Sequence, residues 1–420
     1  MTPIYPFPPD SGGTKRTLRL LEAADRAGLE VRLFTPDNPP RQATRALVER
    51  GWQVHAIGDD MSGLRARAEV HVRLQAGRRS RRLAAAVRAS VSPATAFVQA
   101  EHGLAASYLE GLPDVRTILS THNVDSQVER ERVGQVGRLT YAKAQGTYRA
   151  ARMARAERRG SRAHAVLCVS EADASYFRRF AGEVIVAPNG VDEAFFGGGP
   201  APSPEPYILF FGLMTYGPNR EGIRRFVREG WPSLAAQCPG LRLLIAGKGS
   251  EEALSELAGD PRIAVLGFVE DLAGLAAGAA VIIVPVWQGG GTRLKVLEAL
   301  ATGRPLVGTS LGVSGIGFRD GVHGVVRDDP VELANAVAAL SGDAGQATRL
   351  GSAGRDLARG YRWPLALAGV EDLYRRYAAM TQSRVGSGPD RTTNGLKDID
   401  DLTAAEDQHD REVGDLPTGE

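Results

Sequence analysis

Residues 281–310, VIIVPVWQGGGTRLKVLEALATGRPLVGTS, read as strand, glycine turn, helix, loop and strand. Ile282, Ile283 and Val284 form a short β-branched apolar run, the composition of a strand covered on both faces. Gly289, Gly290 and Gly291 then free the backbone to approach a ligand closely. The following helix is expected to begin near Thr292, so its unpaired N–H groups and positive dipole end face whatever the glycines admit. Arg293 and Lys295 add two full charges to that first turn. Cations are unfavourable at a helix N-terminus unless an anion binds there, so the pattern points to a phosphate site; two solvated basic residues are the alternative. Glu298 follows one turn deeper as a lone inward carboxylate.

Outward from this stretch, short apolar runs alternate with helical segments. Strands are expected at 31–34, 52–57, 96–100, 117–121, 165–170 and 184–187, and again at 208–211, 242–246, 263–266, 281–285 and 306–308. The alternation predicts an α/β protein of two doubly wound, Rossmann-like domains facing across a cleft, with ligands at the carboxyl ends of the strands. The expected boundaries are 1–196 for the first domain, 207–362 for the second and 363–380 for a closing helix. Residues 197–206, GGGPAPSPEP, cannot continue a helix or strand and read as the linker. Residues 381–420 carry ten acids and four bases and few aromatics, the composition of a disordered tail, with a helical partner-binding tail as the alternative.

The chain of 420 residues is 43% hydrophobic, enough for two cores of ordinary size. Its formal charge of +2 gives no case for a nucleic-acid partner, although the tail at −6 leaves the body at +8. Cys168 and Cys238 have no metal-ligand spacing and suit a reduced, cytoplasmic compartment. No apolar run is long enough to cross a bilayer and the first residues do not form a secretion signal, so any membrane contact is expected to be peripheral, on the inner face.

The glycine-rich segment resembles the C-terminal signature of the retaining nucleotide-sugar glycosyltransferases of GT-B fold, the glycosyl transferases group 1 or family-four type, in a variant reading GGGTRLKVLEA. The resemblance runs over most of the chain. It implies that Glu298 holds the ribose hydroxyls, and that Gly290 stands where relatives carry a second Glu against the donor sugar. It also implies that the helix 363–380 crosses back onto the first domain. In similar proteins an apolar strand precedes the segment matched here by TPIYPFPPDSGG; either the residues 1–5 form a stunted strand or the start codon was placed too late, and the second is the expectation.

Gly12 and Gly13 open an amphipathic helix, a geometry suited to an anion, and in the resembled family this loop approaches the donor diphosphate and the acceptor. Lys15 and Arg16 either assist there or are solvated. In similar transferases a histidine after the corresponding strand meets the transferred sugar, which the resemblance implies for His122; His102 is the second candidate, with Glu101 beside it for the acceptor. Gly212 opens a turn into the cleft where relatives place Arg and Lys, but this chain has Leu213 at the first position and Asn219 with Arg220 near the second. Arg220 either joins the diphosphate or pairs with Glu221 on the surface. Gly247 and Gly249 follow a strand. Gly267 and Phe268 lie where backbone groups read the base in relatives, Asp271 caps a helix, and Asn189 supports a turn.

The expected reaction is transfer of a sugar from a nucleoside diphosphate donor to an acceptor hydroxyl with retention, with no cofactor or metal. Arg293, Lys295 and the amides of Gly291 and Thr292 would stabilise the leaving diphosphate. Arg78, Arg79, Arg81 and Arg82, then Arg149, Arg152, Arg155, Arg158, Arg159 and Arg162, make the first domain basic, which suits either a lipid-linked glycan acceptor at an anionic surface or plain solvated faces. Two other functions fit: a sugar-nucleotide epimerase of the same fold, and a non-catalytic scaffold that binds nucleotide sugar.

Overall fold

The computed structural model describes residues 1–2, 5–9, 11–36, 41–57, 80–134, 141–197, 203, 205–289 and 294–386. The second half is built around β7 (Tyr207–Phe211) and β10 (Val281–Val284), in which every residue is buried. With β8 (Arg242–Ala246), β9 (Ile263–Gly267), β11 (Leu306–Gly308) and β12 (Val325–Val326) they form a parallel sheet ordered β12-β11-β10-β7-β8-β9. Neighbouring residues go to opposite faces: Ile208, Phe210 and Ile283 join one core, Leu209, Phe211 and Ile282 the other. Two-sided burial is why these strands are continuously apolar instead of alternating. The chain order reverses between β7 and β10, so their carboxyl ends splay apart and open a crevice. β12 was not expected, since two valines carry no period to read.

In the first half, β3 (Phe97–Glu101), β4 (Arg116–Ser120), β5 (Ala165–Cys168) and β6 (Val184–Val186) make one parallel sheet, and β1 (Arg32–Thr35) pairs with β2 (Gln53–Ala56) in another. Met1 and Thr2 bridge the two. Thr2 N donates to Phe34 O at 3.0 Å, Glu101 N to Met1 O at 2.9 Å, and the Met1 ammonium to Gln99 O at 2.7 Å. Counting that bridge, the first half follows the same order of strands as the second, with β6 added at its edge. The expected strands recur within one or two residues of their limits, longest overrun at 165–170, where Ser170 instead caps the helix Glu171–Phe177.

The closing helix, Ala368–Gly386, packs on the first half: Tyr374 stacks on Phe97 with ring centres 4.8 Å apart, and Arg26 and Arg376 reach Glu371 and Glu183. Six residues assigned to a disordered tail, 381–386, are helical. Thr381 is buried and donates to Tyr377 O, and Arg384 pairs with Asp114 at 2.7 Å, contacts that a polar composition does not reveal. The remaining tail, most of the linker, and Arg78 and Arg79 lie outside the described residues. Among the described residues no helix is long and apolar enough to cross a membrane.

Candidate functional site

The carboxyl ends of the second-half strands face the start of the helix Gly12–Arg26 across a cavity of about 390 Å³. From the second half it is lined by Gly212, Leu213, Asn219, Gly247, Phe268 and the helix Leu294–Ala301 through Leu294, Lys295 and Glu298. From the first half come Ser11, Gly12, Gly13, Lys15, His122 and Asn189.

The glycine turns are steric requirements. Gly212 and Gly247 have φ of +151° and +137°, and a Cβ on Gly247 would lie 1.9 Å from Gly212 O. The loops after β7 and β8 therefore stack directly, which leaves the backbone of Gly212 at the cavity. A Cβ on Gly212 would lie 3.1 Å from Lys295 Nζ. That ammonium donates to Asn219 Oδ1 at 2.5 Å and sits 4.6 Å from the Phe210 ring centre, while Asn219 Nδ2 donates to Leu213 O. Asn219 thus aims the Lys295 charge over the Gly212 turn.

Glu298 is 5% exposed, one helical turn beyond Lys295. Its Oε1 accepts from Lys15 Nζ at 2.5 Å, across the cleft. Burial works against the Lys15 ammonium, but the charge and hydrogen bond of Glu298, with Asp192 at 4.0 Å, outweigh it and raise its pKa. Arg19 pairs with the same Asp192 at 2.6 Å. On the first-half wall, Ser11 caps the helix in a capping box with Thr14. A Cβ placed on Gly13 would meet His122 Nδ1 at 3.5 Å and His102 Cε1 at 3.7 Å, and the two imidazoles stack with centres 3.8 Å apart. His122 Nε2 lies 3.3 Å from Glu101 Oε2.

The cavity thus brings together Gly12, Gly13, His122, Gly212, Gly247, Phe268, Lys295 and Glu298 from the sequence-based candidates. Phe268 presents a ring 70% exposed, and Gly267 lies behind it, its N–H held by Ser250 Oγ at 3.1 Å. Arg220 is not brought to the cavity: it lies 3.5 Å from Glu221 on the outer side of its helix, which is the surface-pair alternative. Gly290, Gly291, Thr292 and Arg293 fall outside the described residues, so the helix is described from Leu294. Arg16 is not solvated but fully buried, donating to Ala187 O at 2.7 Å. The cross-cleft contact of Lys15 was not foreseen, because nothing local marks a lysine whose partner is 283 residues away. Asp271 caps its helix by accepting from Gly274 N.

Two Rossmann-like units with ligand-facing loops from both across one cleft define the GT-B architecture. The family model described as Glycosyltransferase Family 4 matches residues 11–195, and that described as Glycosyl transferases group 1 matches residues 205–343, which between them take in most of the chain. The sucrose-phosphate synthase of Thermosynechococcus elongatus superposes with a TM-score of 0.64 at 20% identity, covering 87% of this chain and 94% of its own. HepE of Anabaena in complex with UDP superposes at 0.63 and 15% identity, covering 89% and 98%. The chain belongs to the GT-B-fold glycosyltransferases. In sequence it is 32% identical over 165 residues to the phosphatidyl-myo-inositol mannosyltransferase of Mycolicibacterium smegmatis, a match that spans 37% of this chain and 42% of that relative.

Proposed function

We propose that the protein transfers a sugar from a nucleoside diphosphate donor to an acceptor hydroxyl, with retention of anomeric configuration and without a metal. The observation that carries this reading is the convergence of Lys295, the Gly212 turn and the Gly12–Gly13 helix start on one cavity, with Glu298 beside them. A diphosphate between the two glycine turns would meet backbone amides, a helix dipole end and the Lys295 ammonium, all oriented before departure begins. Glu298 would take the ribose hydroxyls in exchange for Lys15. The leaving phosphate then receives the acceptor proton on the face it vacates, which accounts for retention without a separate nucleophile. HepE, a structural neighbour, is described in complex with UDP, which agrees with such a donor.

The acceptor is proposed to be a lipid-linked glycan or glycolipid at an anionic membrane face. Arg155, Arg158, Arg159 and Arg162 are exposed, and near them Tyr148 and Phe180 are 65% and 41% exposed, a basic and aromatic surface suited to lipid headgroups. The similarity to a phosphatidyl-myo-inositol mannosyltransferase supports the same class. The test is to incubate the protein with several nucleoside diphosphate sugars, with a chelator present, and follow free nucleoside diphosphate with and without lipid or glycan acceptors. Acceptor-dependent release is expected. Conversion of the sugar nucleotide to an epimer, or binding without any release, would replace the transfer reading with one of its alternatives.

A further inference from the structure

On the first-half wall of the cleft a chain of hydrogen bonds runs from the closing helix to His122. Glu101 is its centre: Oε1 accepts from Gln99 Nε2 at 2.5 Å and Oε2 faces His122 Nε2 at 3.3 Å. Gln99 and Glu101 are two apart on β3 and so share a face. With the Gln99 amide nitrogen committed to a carboxylate, its carbonyl oxygen turns to Tyr374, whose hydroxyl donates to it at 2.7 Å. Chemistry fixes every direction in this chain, because an ionised carboxylate can only accept.

Glu101 is ionised. Burial alone would raise its pKa, but the hydrogen bond of His122, the Gln99 amide and the Arg16 guanidinium act against burial, and it lies below the ordinary carboxylate value. Arg16 is fully buried, and its Nε and Nη2 have no hydrogen-bond partner among the described residues, so it acts on this pocket as a fixed charge. The His122 pKa is lowered as well, but here by burial itself, which Glu101 only partly offsets and to which Arg16 adds. A neutral imidazole that donates from Nε2 has its lone pair on Nδ1. That atom faces the Gly13 turn at the cavity, and no described residue hydrogen-bonds it. His102 closes one face of the ring. It does so from a backbone φ of +67°, a conformation that non-glycine residues adopt at a cost and that clusters at functional sites.

We propose that Glu101 is a positioning residue that fixes His122 as the Nε2–H tautomer, so that Nδ1 accepts a hydrogen bond from a hydroxyl of the sugar being transferred. The second half of this statement rests on the transfer reading above; the tautomer itself does not. Glu101 therefore acts through His122 and is not itself reserved for the acceptor. Tyr374 ties the arrangement to the closing helix, which makes the order of the C-terminal segment a condition for the order of His122.

The test labels the histidines with ¹⁵N in the full chain and reads protonation of each ring nitrogen by long-range proton–nitrogen correlation, with His122→Gln to assign the signal. At neutral pH the wild-type His122 should show a protonated Nε2 and a bare Nδ1. Glu101→Gln, whose amide can donate to Nε2, should mix the tautomers and lower turnover about 10- to 100-fold, the scale on which outer partners of a functional imidazole act, with the donor KM little changed. Tyr374→Phe, remote from the cavity, should act in the same direction by about 2- to 10-fold and covers the case that the first variant folds poorly. A wild-type ring protonated on Nδ1, or a Glu101→Gln protein with unchanged tautomer and turnover, overturns the inference and leaves the transfer reading standing. A wild-type protein that keeps the Nε2–H signal but binds no sugar nucleotide overturns the transfer reading and the sugar contact, and upholds the tautomer.

Discussion

Asp125→Asn should stabilise the protein above neutral pH and leave it unchanged in acid. Asp125 begins the helix Asp125–Gly134, three residues after His122, and shares its surroundings with Glu157 and Asp173. Glu157 is 2% exposed and accepts from Ser126 N and Oγ and from the Tyr176 hydroxyl at 2.6 to 2.9 Å. Burial, then the Glu157 and Asp173 charges, raise the Asp125 carboxyl from 3.8 to about 7. The sign follows from proton counts: between those values the native state holds a proton that the unfolded chain has lost, so stability falls as pH rises through the window. The rise from 3.8 to about 7 corresponds to about 4 kcal/mol as the upper limit, and relaxation with water entry leaves about 2 kcal/mol as the working expectation. Asparagine keeps the shape and cannot ionise. Urea unfolding of both proteins at pH 4 and pH 8 should therefore show the variant about 2 to 4 kcal/mol more stable at pH 8 and nearly equal at pH 4. The same difference at both pH values, or a variant less stable at pH 8, would refute the buried-acid assignment.

Other perturbations address the cleft itself. Lys295→Ala and Glu298→Ala should each weaken nucleoside diphosphate sugar binding about 10- to 100-fold in titration calorimetry, since each deletes a charged hydrogen-bonding partner worth about 1.5–3 kcal/mol; unchanged affinity in both counts against the pocket. Gly247→Ala should lower the melting temperature and donor affinity together, because its Cβ would lie 1.9 Å from Gly212 O at a φ of +137°, while Gly240→Ala, with nothing within 4 Å, should do neither. Lys15→Met leaves the buried Glu298 without its ion-pair partner and should destabilise by about 1–3 kcal/mol; adding Glu298→Gln should recover part of that loss, and strict additivity in the double-mutant cycle would mean that the two side chains do not interact.

The sequence made the sheets legible because two-sided burial writes itself as unbroken apolar runs, as in YILFF and VIIV, and made the turns legible because Gly212 and Gly247 occupy conformations that other residues avoid. The helix that carries Lys295 and Glu298 could be read from its glycine-rich approach and its basic first turn. What stayed hidden is long-range. Lys15 gains its role from Glu298 on the opposite wall, Arg16 looks like any basic helix residue until the packing closes over it, and Tyr374 reaches Gln99 only when the closing helix docks. One hint was available: Gln99 and Glu101 alternate on β3, so two polar side chains share one face of a strand that buries its carboxyl end, where a carboxylate requires partners. The helical residues 381–386 show the reverse problem, where composition predicted disorder and a few tertiary contacts extended the helix.

A structure of the full chain soaked with a nucleoside diphosphate sugar tests the central claim most directly. The account predicts the diphosphate between the Gly212 turn and the start of the helix Gly12–Arg26, within reach of Lys295, and the ribose hydroxyls on Glu298 in place of Lys15. A sugar nucleotide bound elsewhere with the Lys15–Glu298 pair intact would contradict it.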